Sequence, residues 1–208
     1  MDRQDADQVS LEIDPRKEAE GQDIDLPLRY NEGKGREEHL EAGYALFETA
    51  LGPCGIAWRS AKIARIRLPE ANEEETRAHL LGNSDFPENA PLPGWVKKII
   101  EKMTNHLEGK TQDFSLVPLE MDQLPDFRRK VYETALSIKP GKTATYGELA
   151  EMMGHPRAAR AVGHALGKNP FPIVVPCHRV VAKGGKPGGF SAYGGLETKA
   201  KLLDAEKK

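Results

Sequence analysis

The chain of 208 residues is long enough for one large domain or two small ones, and its 38% hydrophobic and 30% charged residues are typical of a globular protein. No window approaches the roughly 18 consecutive apolar residues of a membrane span, which argues against a helical membrane protein. The net charge of −2 divides into −6 over residues 1–40, −2 over residues 41–117 and +6 over residues 118–208, so the C-terminal part is expected to bind a polyanion unless its charge is only solvated.

Residues 1–40 show no steady hydrophobic period, many charges and few aromatic side chains. This composition predicts a disordered acidic tail. The first twenty residues have no apolar stretch, so they do not predict a signal peptide. The chain has only two cysteines, Cys54 and Cys177, which indicates a reduced, intracellular protein.

The segment that follows predicts a small domain of strands and helices over residues 41–117. Short β-type runs broken by Gly-Pro and Arg-Ser-Ala-Lys predict two or three antiparallel strands. Two helices follow, ANEEETRAHLLG and GWVKKIIEKMTNHLEG, and each ends near a glycine. The second carries an apolar stripe of helical spacing that predicts a core face, formed by Val96, Ile99, Ile100 and Met103. The segment KTQDFSLVPLEM predicts a linker with room for one strand, which places a boundary near residue 118.

Residues 118–208 predict a mostly helical domain. The segment LPDFRRKVYETALSI predicts a helix with one apolar face, formed by Phe127, Val131 and Ala135. Thr145 and Glu148 have the spacing of a capping box, which begins a short helix. A second short helix is predicted between Pro156, near its first position, and Gly167, near its end. Such a pair is a helix-turn-helix candidate, although many all-helical domains contain one.

A last helix is predicted over LETKAKLLDAE, with Leu196, Ala200 and Leu203 facing one way. Cys54 falls in a predicted strand without companion ligands, which indicates a buried strand residue and no zinc site.

Cys177 allows three interpretations: a buried apolar residue, a metal ligand or a nucleophile. Ile-Val-Val before it predicts a buried strand, and Pro176 restricts the backbone. His178 and Arg179 follow directly, and positive charge close to the sulfur is expected to lower the thiol pKa from about 8.5. The metal interpretation is weak, because zinc ligands come in spaced pairs. A cysteine hydrolase is a remaining alternative, but the sequence contains no recognisable motif for an oxyanion hole or for a separate catalytic histidine.

Four motifs in fixed order resemble one family. They are TYGELA (145–150), ARAVGHAL (159–166), NPFPIVVPCHRV (169–180) and GGLETKAKLLDAE (194–206). They are similar to motifs of the O6-alkylguanine-DNA alkyltransferases, also called methylated-DNA–protein-cysteine methyltransferases. The resemblance is close over residues 120–206, looser over 44–117 and absent over 1–40. It implies an α+β fold, in which a small ribonuclease H-like domain precedes a mostly helical, winged-helix-like DNA-binding domain.

The resemblance also implies roles for individual residues. Cys177 would accept the alkyl group, and His178 would activate it through a bridging water. A carboxylate would support the histidine; the sequence alone does not separate Glu206 from Glu197 or Asp204, but the family's order of motifs points to Glu206. Tyr146 would lie against the flipped-out nucleotide.

The remaining roles concern DNA and the base pocket. Arg160 would fill the gap in the duplex, beside Ala159 and Gly163 of the same helix, and Asn169 would be the hinge to the cysteine segment. The backbone around Val180 and the loop over residues 190–194, with Tyr193 and Gly194, would line the guanine pocket. Because Tyr193 is bulky, it is expected to narrow the pocket.

The function implied is direct-reversal DNA repair. The alkyl group of O6-alkylguanine in double-stranded DNA, with O4-alkylthymine as a second lesion to consider, would pass irreversibly and stoichiometrically to Cys177 after nucleotide flipping. No cofactor, metal or membrane is implied. A monomer is expected, cytoplasmic and associated with the nucleoid when bound to DNA, or nuclear in a eukaryote.

Two other functions compete with this one. A lesion sensor would flip alkylated bases and transfer nothing, but sensors that resemble this fold lack the cysteine. A helix-turn-helix transcription regulator would bind one undamaged sequence and be indifferent to alkylation.

Overall fold

The computed structural model describes residues 42–207, so the predicted acidic tail over residues 1–40 lies outside the described residues. A three-stranded antiparallel sheet in the order β1–β2–β3 opens the chain, with β1 over Ala42–Phe47, β2 over Cys54–Arg59 and β3 over Lys62–Arg67. Ser60 and Ala61 connect β2 to β3, and both have positive φ, as a tight type I′ hairpin requires. The predicted antiparallel strands are therefore confirmed.

Two helices complete this part of the chain, α1 over Glu73–Leu81 and α2 over Gly94–Leu107. Asn72 caps α1, because its side chain accepts a hydrogen bond from the Glu75 backbone N–H. The predicted apolar stripe of α2 faces the core, with Val96, Ile99 and Met103 fully buried and Ile100 half-buried. Both predicted helices are confirmed.

The segment after α2 packs tightly against the sheet rather than hanging as a free linker. Phe114 and Val117 are buried in the same hydrophobic cluster as Trp58 of β2 and Val131 of the C-terminal part. The strand allowed for in this segment reduces to one isolated parallel bridge between Ile63 and Leu119. One hydrophobic core therefore runs through both parts of the chain.

The C-terminal part contains three helices before the cysteine segment: α3 over Asp126–Leu136, α4 over Tyr146–Met152 and α5 over Ala159–Leu166. The capping box of Thr145 and Glu148 is present at the start of α4, as predicted. Pro156 was expected near the first position of α5, but it lies three residues earlier. The reason is that the Ala158 N–H bonds back to the His155 carbonyl in a turn, so the helix begins only at Ala159.

Two further predictions about the C-terminal part are wrong. Residues 173–175 are a buried turn, not a strand, with Ile173 at φ +72° and the Val175 N–H bonded to the Phe171 carbonyl. The last helix, α6 over Leu196–Ala205, does not bury its predicted face: Leu196 is 49% exposed. It buries Lys199 and Leu202 instead, because α6 packs against backbone carbonyls that a lysine can satisfy.

A short parallel pair ties the cysteine segment to the helix pair. The two-residue strand β4, Ala144–Thr145, pairs with β5, Val180–Val181, and Cys177–Arg179 form one turn of 3₁₀-helix just before β5. This pairing sets the start of α4 beside the end of the cysteine segment. The structure as a whole is α+β, as predicted, and within residues 42–207 no helix is both long and apolar enough to cross a membrane.

Candidate active site

Cys177 is partly exposed and lines a cavity of about 270 Å³. The cavity lies between α4, α5 and the loop before α6. Its walls are formed by Tyr146, Gly163, Leu166, Gly167, Cys177, Gly189, Phe190 and Ser191. The thiol also borders a second cavity, of about 250 Å³, which opens toward β3. Cys177 thus borders two cavities, and α4 and α5 contribute to the walls of the first.

Tyr146 forms one wall of this cavity, and its ring packs beside two glycines, of which only Gly188 is too close to carry a side chain. A Cβ at Gly163 would lie 3.6 Å from the ring, and one at Gly188 would come within 2.9 Å of it. The tyrosine hydroxyl donates a long hydrogen bond of 3.4 Å to the Gly189 carbonyl. Burial, together with the nearby Cys177, raises the pKa of Tyr146, so the phenol keeps its proton at neutral pH.

Asn169 holds the cysteine segment in place. Its amide nitrogen donates to the Val175 carbonyl at 2.9 Å, and its amide oxygen accepts from the Phe171 N–H at 2.9 Å. These two bonds close the turn that leads from α5 to Cys177. Asn169 therefore lies at the joint between the helix pair and the thiol, where the hinge was predicted.

Glu206, directly after α6, is the buried anion behind the thiol. Its Oε1 accepts from His178 Nε2 at 2.8 Å and from Arg179 Nη2 at 2.8 Å, and its Oε2 accepts from the Gly141 N–H at 3.0 Å. Oε1 also accepts from His106 Nε2 at 3.0 Å. Burial alone would raise the pKa of Glu206, but these hydrogen bonds hold it well below its usual range. Glu206 is thus a permanent carboxylate.

His178 faces this carboxylate through one nitrogen only. Because Nε2 donates to Glu206, Nδ1 carries the lone pair of the neutral ring, and Nδ1 has no hydrogen-bond partner within residues 42–207. Burial lowers the pKa of His178, and the charge of Arg179 adds to this, against the opposing effect of Glu206. At neutral pH His178 is therefore a neutral base with a free Nδ1 next to Cys177 in the chain.

The expected low thiol pKa is contradicted by this geometry. Burial raises the pKa of Cys177, and the opposing effects of Asn169 and Lys199 are smaller. The two cations expected to act on the sulfur do not face it: His178 is neutral, and the Arg179 guanidinium binds Glu206 and the Ile138 carbonyl. The resting group is a thiol, which needs a base at the moment of reaction.

Two residues of the site were not predicted from the sequence. Lys199 is buried and donates to the Val180 carbonyl at 2.6 Å and to the Gly189 carbonyl at 3.4 Å, which ties β5 to the cavity loop. His106 lies 100 residues from its partner Glu206. Its signal was the spacing in α2, since the buried positions Val96, Ile99 and Met103 continue to residue 106.

The remaining predicted residues lie in different places. Arg160 is exposed on α5, next to the half-buried Ala159. Val180 is fully buried, its carbonyl accepts from Lys199, and it is not among the residues that line the cavity. Tyr193 is 56% exposed and does not line the cavity, nor does Gly194, because the turn before α6 directs the tyrosine outward while its carbonyl accepts from Thr198. Phe190 and Ser191 are among the residues that form the wall of the cavity, and the expected narrowing by Tyr193 stays a prediction.

His106, His178 and Glu206 place three potential metal ligands within 4.8 Å of one another. The Gln112 N–H donates to His106 Nδ1 at 3.2 Å, so the proton of this ring is on Nε2, which cannot then bind a metal. The Arg179 guanidinium already supplies the positive charge beside the carboxylate. The cluster fits a hydrogen-bonded network better than a metal site.

Comparison with known proteins points in one direction. Residues 126–208 match the family model described as 6-O-methylguanine DNA methyltransferase, DNA binding domain. The chain is 34% identical over 165 residues to the methylated-DNA–protein-cysteine methyltransferase of Mycobacterium tuberculosis H37Rv, which covers 79% of this chain and 92% of that protein. It is also 34% identical over 163 residues to the protein of the same name from Metallosphaera sedula, with 78% and 92% covered.

Solved structures agree. The crystal structure of Mycobacterium tuberculosis OGT in complex with DNA superimposes with a TM-score of 0.64 at 30% identity, covering 79% of this chain and 92% of that one. The O6-methylguanine-DNA methyltransferase of the hyperthermophilic archaeon Pyrococcus kodakaraensis gives a TM-score of 0.60 at 29% identity, covering 80% and 99%.

Proposed function

The chain belongs to the methylated-DNA–protein-cysteine methyltransferases, which repair DNA by direct reversal through alkyl transfer to a cysteine, and we propose that in this member the acceptor is Cys177. The observation that carries the proposal is the position of this thiol. Cys177 and Tyr146 line the same cavity. The next residue, His178, is a neutral histidine whose Nε2 donates to the buried carboxylate of Glu206. The other cysteine, Cys54, is fully buried in β2.

The reaction is a displacement at saturated carbon. The sulfur of Cys177 attacks the alkyl carbon on O6 of guanine, an S–C bond forms, the C–O6 bond breaks and its electron pair stays on the guanine. The thiol proton passes through a bridging water to His178 Nδ1, and the Tyr146 hydroxyl donates a proton toward the leaving guanine. The proton on His178 then returns to the Tyr146 oxygen. The protons therefore balance: guanine gains one, and the thiol has lost one.

The product explains why each molecule acts once. A thioether has no proton to lose and no good leaving group, so neither His178 nor water can return Cys177 to a thiol. The protein is consumed stoichiometrically, although the reaction is that of a methyltransferase. O6-alkylguanine in double-stranded DNA is the substrate, and O4-alkylthymine is a second lesion to test.

The DNA-binding surface is assigned to α4, α5 and the loop after β5, as a winged-helix-like unit. The exposed side of α5 carries Arg160, and the C-terminal part has an excess of positive charge. The target base must leave the stack, at a cost of a few kcal/mol. Arg160 fills the gap, the small residues Ala159 and Gly163 let α5 approach the groove, and Asn169 joins this helix to the acceptor.

The two parts of the chain have different roles. Residues 118–208 form the DNA-binding and alkyl-acceptor domain, and residues 41–117 form a ribonuclease H-like domain that supports it. The protein acts as a monomer where the cell keeps its DNA, in the nucleoid of a prokaryote or the nucleus of a eukaryote.

Incubation with an oligonucleotide duplex that carries O6-methylguanine tests the proposal. After digestion, mass spectrometry is expected to find one added methyl group on the peptide that contains Cys177, at no more than one per protein molecule. Cys54 is an internal control, because burial raises its pKa to about 12 and its peptide should stay unmodified. A missing mass gain, or an equal gain in Cys177→Ala, would overturn the proposal.

Arg160→Ala is expected to slow repair of duplex DNA by about 10-fold or more, since the flipped state loses the side chain that replaces the base. The same variant should react with free O6-benzylguanine at the native rate, because a free base needs no flipping. Lys98→Ala, which removes an exposed cation of α2, is the matched control and should change neither rate. Equal slowing with both substrates would remove Arg160 from the flipping step.

A further inference from the structure

We propose that His106 is a positioning residue for the acceptor thiol: from α2, outside the acceptor domain, it donates a hydrogen bond to Glu206 and so fixes the carboxylate that orients His178. This inference rests on the proposed function in treating Cys177 as the acceptor. Neither the motif order nor the match to the family model, which begins at residue 126, includes His106.

The contact is buried and direct. His106 Nε2 lies 3.0 Å from Glu206 Oε1, the same oxygen that His178 Nε2 reaches at 2.8 Å, and both rings and the carboxylate are almost fully inaccessible to solvent. Two imidazole N–H groups therefore share one oxygen atom. In such a buried place each donor strongly affects the other's hydrogen bond, because no water competes for the oxygen.

The neighbours of His106 fix which nitrogen carries its proton. The backbone N–H of Gln112 donates to Nδ1 at 3.2 Å, and the ring packs edge-to-face on Phe114 with the centroids 5.3 Å apart. Nδ1 is thus an acceptor, and Nε2 must carry the proton that faces Glu206. His106 is a donor held in one tautomer and one orientation by the segment that follows α2.

The charges around His178 can be counted from every element that faces the cluster. The carboxylate of Glu206 attracts a proton on His178, while Arg179, from the same 3₁₀ turn, repels it. From α2, His106 donates to Oε1 and so weakens the attraction of the carboxylate for a proton on His178. Arg179 also donates to Oε1, through Nη2 at 2.8 Å and Nε at 3.0 Å, and Oε2 accepts from the Gly141 N–H and from Arg179 Nε. Without His106 the carboxylate would act more strongly on His178, which would then keep a proton to higher pH.

His178 must be unprotonated at Nδ1 to receive the thiol proton. His106 therefore has two effects: it holds the carboxylate in the geometry that presents Nδ1, and it adds to burial and to the charge of Arg179, which keep His178 neutral. Through it, the sheet-and-helix part of the chain takes part in the chemistry rather than only supporting the DNA-binding part. Proper packing of α2 becomes a condition for a reactive thiol.

The test measures the second-order rate constant of Cys177 alkylation between about pH 5.5 and about pH 9, with peptide mass as the readout. Two electrophiles are used, free O6-benzylguanine and iodoacetamide, and the second needs no guanine recognition. The variants are His106→Leu, which removes the donor, and His106→Gln, whose amide N–H can replace it. Met103→Leu, a volume-conserving change on the same buried face of α2, is the control.

His106→Leu is expected to react about 10-fold more slowly near pH 7 with both electrophiles, and the acid limb of its pH profile should move upward by about half a unit or more. His106→Gln should recover most of the rate and return the limb toward its native position, and Met103→Leu should match the native protein. An unchanged rate and limb in His106→Leu, or an equal change in Met103→Leu, would show that His106 only packs.

The two electrophiles separate this inference from the function on which it rests. If iodoacetamide gives the expected pattern while O6-benzylguanine does not react with the native protein, the positioning role stands and the proposed function fails. If both react and the variants do not differ, the function stands and the positioning role fails. Should the variants not fold, the ¹⁵N shifts of the native histidines decide: His106 protonated at Nδ1 near pH 7 would overturn the inference.

Discussion

His178→Gln is expected to slow alkyl transfer to Cys177 by about 100-fold or more near pH 7, the size of a lost general base. The glutamine amide can still donate to Glu206 from the position of Nε2, so the buried carboxylate keeps its partner. The variant has no basic nitrogen in place of Nδ1, and the thiol, whose pKa burial raises, remains protonated. The measurement is the rate of reaction with free O6-benzylguanine, which excludes effects on DNA binding.

The pH dependence of this deficit distinguishes a base from a structural residue. As the pH rises toward the pKa of Cys177, hydroxide removes the proton without help, so the native protein and His178→Gln should converge. His79→Gln, which changes an exposed histidine paired with Glu70, is the matched control and should have the native profile. A deficit that stays constant up to alkaline pH would mean that His178 acts by packing alone.

Glu206→Gln is expected to lower the free energy of unfolding by about 3–5 kcal/mol, because it leaves the buried Arg179 guanidinium without its counter-charge. It should also slow alkylation of Cys177, since His178 loses the acceptor that fixes its tautomer. Urea unfolding at neutral pH measures the first effect. Glu197→Gln, on the exposed face of α6 where the carboxylate pairs with Lys201, should leave the stability unchanged.

The contribution of the Glu206 carboxylate to stability should also appear when the native protein is unfolded at acid pH. The pKa of Glu206 is lowered in the folded state, so its contribution is complete above the unfolded value of about 4.3 and is lost as the pH falls below it. His178 adds a loss that begins below about pH 6.5, because its folded pKa is also lowered and the unfolded chain binds the proton first. Glu206→Gln should show a smaller loss below about pH 4.3, and an equal loss would contradict the assignment.

The protonation state of Cys177 was predicted wrongly from the charged residues next to it in the sequence. His178 and Arg179 follow Cys177 directly, which predicted a lowered thiol pKa, yet both side chains turn toward Glu206. Cys177–Arg179 form one turn of 3₁₀-helix, which directs the Cys177 side chain away from the two side chains that follow it. A resting thiol also suits a protein that can react only once, since a permanent thiolate would meet other electrophiles.

The sequence by itself determined the features that depend on near neighbours. The hairpin turn at Ser60, the capping box at Thr145 and the buried stripe of α2 follow from residues within a few positions of each other, and so does the order of motifs that identifies the family. Each of these is set by local backbone geometry or by helical period, and both can be read from the amino-acid sequence.

Only the tertiary structure decided how the side chains meet. Nothing in the sequence joins His106 to Glu206 across 100 residues, puts Lys199 rather than Leu196 on the buried face of α6, or turns Tyr193 away from the cavity. The physical reason is that desolvation, hydrogen-bond sharing and charge coupling depend on distances in space. Those distances are fixed by the packing of the whole core, so the protonation states around Cys177, the proposed acceptor, arise only when the two parts of the chain are together.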